Sequence, residues 1–346
     1  MKYAIITQTL DSGKINPGTQ FIHHGIQHMI SEVDPKAVFF SVCQDEYIEE
    51  EWRNVKEQAD VLIFGGGPRI NSNPKATCFC DWDIWSYVSM AMDWGIPVWD
   101  IALGATHYLP LPAAASTMAL RMIGIPKVMQ ILTYYSGVQL ITTRDPVITE
   151  IFKRAKMRAY LLPCIAYWGR EYWGIEPSVE KKYNVVTIRR VLGHEQYLIP
   201  KIIKGFNGLL SEKETKLLAH VEDDAVWFRE TVQKKKGRDP SVEVVNDPKH
   251  LTEFYAAADK VVSFRLHGSV MALSMGAKVL NVAIDSGSFC LDQFDVESIY
   301  FPDLRRKEIP LDRFQETDAR KMKGYKQLYM GILKENIDAI QAKIGH

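Results

Sequence analysis

Cysteine is scarce in this sequence, charge is balanced, and long apolar runs are missing. Five cysteines occur in 346 residues: Cys43, Cys78, Cys80, Cys164 and Cys290. That number and spacing exclude a disulfide scaffold, and reduced thiols are expected. Cys78 and Cys80 stand beside Asp81 and Asp83, but no second Cys or His pair follows at zinc-ligand spacing, so no metal is expected. Forty-two basic residues are matched by forty-two acidic ones. No global field then draws the protein to nucleic acid or to an anionic membrane, and neither partner is expected. The dense basic run Lys234-Lys235-Lys236-Gly237-Arg238 follows an amphipathic pattern and reads as a solvated helix end. Apolar runs stay far below the roughly 18 residues of a membrane span, and Met1 to Thr7 reads as a strand rather than a signal peptide. A cytosolic protein is the expectation.

Several signature motifs are also missing. The sequence has no Gly-x-Gly-x-x-Gly fingerprint, no phosphate-loop Gly-Lys-Ser/Thr, no His-Glu-x-x-His and no Gly-x-Ser-x-Gly elbow. His23, His24 and His28 have no third ligand nearby, and Cys164 in Leu162-Pro163-Cys164-Ile165 has no support as a nucleophile. Covalent catalysis is not indicated.

What is present is ample apolar material, 47% of residues, in a chain longer than the roughly 250–300 residues at which one core stops growing. Two domains are expected. β-branched runs at Tyr3–Thr7, Ala37–Val42, Val61–Phe64, Val98–Ile101, Val138–Thr143 and Ala159–Leu162 alternate with helical periodicity, the rhythm of βαβ units. The rhythm breaks in an aromatic, charged stretch and restarts with runs at Asn184–Ile188, Lys216–His220, Val242–Val245, Lys260–Phe264 and Lys278–Ala283. Helical patterns in this half cover Gln196–Leu210, Ala225–Lys235, Leu251–Ala258 and Ser269–Met275. Residues 1–166 and 183–318 therefore read as two Rossmann-like α/β domains facing a cleft, joined by a linker at 167–182, with an amphipathic C-terminal helix within 319–346. In such folds ligands bind beyond the carboxyl ends of the strands, so the turns there carry the functional weight.

Four turns stand out. Asn16-Pro17-Gly18-Thr19 opens a helix whose exposed amides suit an anion or a sugar hydroxyl, with a plain turn capped by Thr19 as the simpler reading. Gly65-Gly66-Gly67 follows an apolar strand and lets backbone approach a ligand, and Gly104 repeats the arrangement one strand later. Arg265-Leu266-His267-Gly268 ends a strand and places an anion-binding fork beside a group that exchanges protons near neutrality. Asp285 and Ser286 follow the next strand, and Arg189 in Thr187-Ile188-Arg189-Arg190 brings another cation to the same edge. His220, Asp223 and Asp224 would complete it, although solvated acids are as common in such positions.

Taken in order, Gly65-Gly66-Gly67, Thr143-Arg144-Asp145, Arg189 and Arg265-Leu266-His267-Gly268 resemble the motifs of the polysaccharide pyruvyl transferase family over roughly residues 14 to 285. The resemblance implies a two-domain fold similar to glycosyltransferase-B enzymes. It implies transfer of the pyruvyl group of phosphoenolpyruvate to two hydroxyls of a glycan or glycan precursor as a ketal, with no cofactor. Arg189, Arg265, Leu266, Gly268, Asp285 and Ser286 would then bind the donor and His267 would act as acid and base. Asn16, Gly18, Thr19, Gly65, Gly66, Gly67 and Gly104 would face the acceptor. Relatives often carry an acid where this chain has Thr19 and Gln20, and a base where it has Gly287 and Ser288. Two other readings share the architecture: a glycosyltransferase with a nucleotide-sugar donor, and a non-catalytic glycan-binding protein. Product mass separates the first, and binding without turnover the second. A homo-oligomer is left open, and Trp168, Tyr172 and Trp173 are the aromatic side chains expected at the cleft.

Overall fold

The computed structural model describes residues 1–7, 16–43, 47–71, 82–106, 114–190, 213–236, 241–305 and 313–344. Cys78, Cys80, Gly237, Arg238 and the helical pattern Gln196–Leu210 lie outside them.

Two parallel six-stranded sheets carry the fold. The first holds β1 (Lys2–Thr7), β2 (Val38–Cys43), β3 (Val61–Asn71), β4 (Val98–Thr106), β5 (Leu140–Thr143) and β6 (Tyr160–Leu161) in the order β2-β1-β3-β4-β5-β6. The second holds β7 (Tyr183–Ile188), β8 (Thr215–Ala219), β9 (Val242–Val244), β10 (Ala258–Ser263), β11 (Lys278–Ala283) and β12 (Ser298–Tyr300) in the order β12-β11-β10-β7-β8-β9. Strand order reverses at β1/β3 in one sheet and at β7/β10 in the other. A crevice opens at such a switch point because the crossover helices leave toward opposite faces.

Helices cover the sheets: α1 (Pro17–Val33), α2 (Glu49–Gln58), α3 (Trp82–Asp93), α4 (Ala115–Ile123), α5 (Pro126–Tyr135), α6 (Pro146–Arg154), the short α7 (Gly169–Tyr172), α8 (Glu222–Lys236), α9 (Pro248–Ala256), α10 (Leu266–Ser274) and α11 (Ala319–Ile344). Three of them start alike. Asn16, Asp145 and Asp247 each accept a backbone N–H of the first turn, and proline follows at the first helical position. The side chain satisfies an orphan donor, and proline has no N–H there to leave unpaired. The cap of α1 is thus Asn16, three residues before Thr19, because Pro17 is already in helical geometry.

Two further boundaries differ from the sequence pattern. β3 runs through the three glycines to Asn71, pairing Gly65 with Ile101 and Gly67 with Leu103, where a turn was expected. Gly66 has φ +65°, and a Cβ there would lie 2.4 Å from Ile22 Cδ1, so glycine lets α1 lie close on the strand. α10 begins at Leu266 rather than Ser269. Gly268 weakens the helical pattern, but Ser263 Oγ bridges the Arg265 N–H and C=O and fixes the entry into the helix.

One apolar cluster runs from Tyr3, Ile26 and Trp99 through Ile165 and Trp168 to Val185, Val261 and Met271, so both sheets share a continuous core. Trp168 is buried against Tyr329 and Tyr167, not at a cleft, whereas Tyr172 is exposed and stacked on His24. The chain after β6 forms a 3-10 turn (Ile165–Trp168) and α7, both packed on α1. Gly25 permits this, since a Cβ there would lie 2.3 Å from the Ile165 carbonyl oxygen. Among the described residues, no helix is long and apolar enough to cross a membrane.

α11 leaves the second sheet and returns to the first. Tyr329 Oη lies 3.0 Å from Thr142 Oγ1, and Lys326 Nζ donates to Glu171 Oε2 at 2.6 Å. His28 Nε2 approaches the same oxygen at 2.8 Å. Burial opposes the Glu171 carboxylate, but these two partners outweigh it and hold its pKa down to about 2. A carboxyl depressed by folding contributes stability above its usual value of 4.5 that disappears as pH falls toward about 2. Glu171→Gln is therefore expected to flatten the stability curve in that acid window. Urea melts at stepped pH check this, and an unchanged slope would exclude a stabilising role for the Glu171 contacts.

Candidate active site

The carboxyl ends of the second sheet project a set of polar side chains toward two turns of the first. Arg189 follows β7, His220 follows β8, Arg265 caps α10 just beyond β10, and Asp285 follows β11. From the first half come Asn16, before α1, and Arg144, directly after β5. With Leu266, His267 and Gly287 these side chains line a cavity of about 130 Å³.

Each cation is held by a partner. Asp224, buried in the first turn of α8, accepts from Arg265 Nε at 2.9 Å, from Arg265 Nη2 and from the Arg190 N–H at 2.8 Å. Burial lowers the Arg265 pKa, and Arg189 adds to this while Asp224 opposes it. Arg189 Nη1 donates to Asp285 Oδ2 at 3.1 Å, and Asp285 Oδ1 caps the Gly287 N–H at 2.9 Å. Arg265 and Arg189 are thus each tied to a carboxylate, and with Arg144 they set three guanidinium forks around the cavity, donors suited to a small anion.

Arg144 crosses between the two halves. Its Nη1 lies 3.0 Å from His267 Nε2 and 4.0 Å from Cys164 Sγ. The guanidinium has only donors, so His267 Nε2 accepts and the ring proton sits on Nδ1. Arg144 Nε is buried and has no hydrogen-bond partner among the described residues. Glycines shape both ends of the bridge. A Cβ on Gly104 would lie 2.6 Å from Arg144 Nε, and one on Gly18 would lie 2.1 Å from His267 Nδ1. Asp145 anchors the base of Arg144 by capping α6 and accepting the Ala105 N–H at 2.9 Å. Burial pushes its carboxyl up to about 6, against those hydrogen bonds and the Arg144 charge.

His267 occupies the first turn of α10, half-buried and in contact with Cys164. Burial lowers its pKa, Cys164 pulls the other way, and Arg144 and Arg265 add to the lowering. Burial also opposes the Cys164 thiolate, but hydrogen bonds to Cys290 and His267 and the Arg144 charge outweigh it and hold the thiol well below its usual range. Cys290 is pushed up by burial and by its neighbour.

The residues singled out in the sequence separate into two groups. Asn16, Arg189, Arg265, Leu266, His267 and Asp285 meet around one cavity. Gly18, Gly104 and Gly268 lie behind it, making room for His267, Arg144 and Tyr255 respectively. Ser286 is buried and turns its Oγ to the Ala105 carbonyl at 3.4 Å. Thr19, Gly65, Gly66 and Gly67 do not line the cavity. The individual reading passed over Arg144, although the Thr143-Arg144-Asp145 triplet before a helix was the signal for it. Cys164 had no local signal, since only folding brings it to His267.

Gly104→Ala should fold but displace Arg144 and break its bond to His267. Hydrogen bonds to a charged group contribute about 1.5–3 kcal/mol, so affinity for a small anion such as inorganic phosphate is expected to fall roughly 10-fold or more. Titration calorimetry on a variant with unchanged circular dichroism checks this, and unaltered affinity would show that Arg144 does not need that space.

The sequence matches the polysaccharide pyruvyl transferase family over residues 16–286. A comparison with curated proteins found no match. Among solved structures, the fold is similar to that of S. aureus MnaA solved with UDP (TM-score 0.58, 13% identity, 99% of this chain and 97% of that one). It is also similar to UDP-N-acetylglucosamine 2-epimerase from Rickettsia bellii (0.56, 11%, 99% and 96%). The enzyme from Neisseria meningitidis bound to UDP-GlcNAc is a further likeness (0.54, 10%, 99% and 100%). At these identities the likeness concerns the fold alone, a glycosyltransferase-B-like pair of Rossmann-type domains. The match over residues 16–286, which contains every cavity-lining residue but Gly287, places this chain in the polysaccharide pyruvyl transferase family.

Proposed function

We propose that the protein transfers the pyruvyl group of phosphoenolpyruvate to two hydroxyls of a glycan or glycan precursor. The observation that carries this reading is the convergence of Arg144, Arg189 and Arg265 with His267 on a cavity of about 130 Å³. Pockets that enclose drug-sized ligands run to roughly 300–1,000 Å³, so the space favours a small, multiply charged anion over a nucleotide sugar. The second domain would hold the donor through Arg189, Arg265, Leu266, Gly268, Asp285 and Ser286. The first would present the acceptor near Asn16, Gly18 and Thr19 and the glycine segments Gly65–Gly67 and Gly104.

The chemistry balances without a cofactor. His267 gives a proton to the methylene carbon of the donor, and the adjacent carbon becomes electrophilic. The first sugar hydroxyl adds there and loses its proton, and the carbon–oxygen bond to phosphate breaks. The second hydroxyl then closes the ketal and releases a proton, so one phosphate leaves for each ketal formed. Arginine forks suit both the donor carboxylate and the departing phosphate. Incubation with phosphoenolpyruvate and a panel of glycan acceptors tests the reading by mass spectrometry and phosphate release. A pyruvyl ketal is expected. A hexose adduct obtained only with a nucleotide sugar would replace this reading by glycosyl transfer, and binding without turnover would replace it by a glycan-binding role.

A further inference from the structure

The cavity wall holds a second histidine that the proposed chemistry leaves unused. His220, at the end of β8, is buried, and its Nε2 lies 3.0 Å from Tyr255 Oη. Tyr255 Oη lies 2.6 Å from Thr187 Oγ1, and both residues are fully buried. This chain of hydrogen bonds can run in two directions. If His220 donated from Nε2, Tyr255 would donate to Thr187, and the Thr187 hydroxyl hydrogen would have no acceptor, since Tyr255 is its partner among the described residues. A buried hydroxyl left in that state is disfavoured. In the other direction Thr187 donates to Tyr255 and Tyr255 donates to His220 Nε2, so both hydroxyl hydrogens are used.

Two further features fit this direction. Burial pushes the Tyr255 pKa well above the usual phenol range, so the hydroxyl keeps its proton. Burial, with the charges of Arg265 and His267, lowers the His220 pKa and keeps the ring neutral. A neutral imidazole that accepts at Nε2 carries its proton on Nδ1. That nitrogen has no protein partner among the described residues and is not one of the sealed polar atoms of the core, so it opens on the cavity. Gly268 belongs to the same device. A Cβ there would lie 3.0 Å from Tyr255 Oη and 2.7 Å from Ser263 Oγ, so a larger residue would push the phenol off its line.

We infer that His220 is a donor-binding residue, held as the Nδ1–H tautomer by the Thr187–Tyr255 chain, and that it gives a neutral hydrogen bond to a phosphoryl or carboxylate oxygen of the bound anion. Tyr255 and Thr187 are positioning residues for it. A neutral donor adds a directed bond without a further positive charge beside Arg265 and Arg189, which already repel each other. The identity of the donor rests on the pyruvyl-transfer reading, whereas the tautomer and the anion contact do not.

Selective ¹⁵N labelling of the nine histidines allows a direct test, with the His220 signals assigned by their loss in His220→Gln. In the ligand-free protein Nδ1 should be protonated and Nε2 should be the bare acceptor. Titration with inorganic phosphate, and separately with phosphoenolpyruvate, should shift the Nδ1–H signal. Tyr255→Phe should release the tautomer and weaken phosphate binding about 3- to 10-fold, the effect of one lost neutral hydrogen bond. An Nε2–H tautomer in the ligand-free protein, or an Nδ1 signal unmoved by saturating phosphate, overturns the proposal. If phosphate moves the signal but no pyruvyl product forms with any acceptor, the His220 contact stands and the donor assignment falls.

Discussion

Replacing His267 by alanine is expected to lower turnover about 10²- to 10⁴-fold, the usual contribution of a positioned acid or base, while donor affinity stays close to that of the parent. On the proposed reading the arginines hold the anion, and His267 moves the proton. In the ligand-free site His267 cannot yet do so. Burial and the nearby guanidinium groups lower its pKa, and Arg144 Nη1 occupies the Nε2 lone pair at 3.0 Å. An arriving anion competes for Arg144 and brings negative charge beside the ring. Both effects raise the pKa and free Nε2 to take up a proton, so protonation is coupled to donor binding.

The sign of the pH dependence follows. The acidic form of His267 is required, and its pKa is lower in the free enzyme than in the complex. The alkaline limb of kcat/KM, which reports the free enzyme, should therefore lie at lower pH than the alkaline limb of kcat. Steady-state profiles with phosphoenolpyruvate as the varied substrate read both. Parent-like turnover in His267→Ala, or limbs that coincide, would reduce His267 to a helix residue.

Arg265→Ala is expected to cost stability and donor affinity together, and a second substitution separates the two. Asp224 is 4% exposed and accepts three hydrogen bonds, two of them from Arg265. Removing the guanidinium leaves a carboxylate buried without its counter-charge, a change of about 3–5 kcal/mol against a total stability of roughly 5–15 kcal/mol. The melting temperature should drop clearly. Adding Asp224→Asn removes the uncompensated charge and should restore much of that loss. It cannot restore the anion fork, so phosphoenolpyruvate affinity should stay about 10- to 100-fold weak in the double variant. Thermal melts and titration calorimetry read the two quantities separately. Parent-like affinity in Arg265→Ala would exclude a donor role for this arginine, and a double variant no more stable than the single one would exclude the charge-burial account.

Much of the fold was legible because secondary structure follows local periodicity. Val61 to Phe64 is an apolar run that suits a buried strand of a parallel sheet, and Asp145 to Phe152 carries a cap, a proline and an apolar face within a few residues. The boundaries that shifted did so where tertiary contact overrides local preference. β3 continues through three glycines because Ile101 and Leu103 pair with them, and α10 starts before Gly268 because Ser263 fixes its entry.

By itself the sequence determined the α/β alternation, the two sheets, and the strand ends that bear Arg189, Arg265 and Asp285, all set by order along the chain. Only the tertiary structure decided which of these meet. Arg144 and His267 are 123 positions apart, yet their nitrogens lie 3.0 Å from each other. Gly18 and Gly104 leave the spaces that His267 and Arg144 fill, a close approach that sequence order does not show. The tautomers of His267 and His220 belong to the same class of fact. A proton's place on an imidazole depends on what stands 3 Å away in space, and sequence order does not carry that distance.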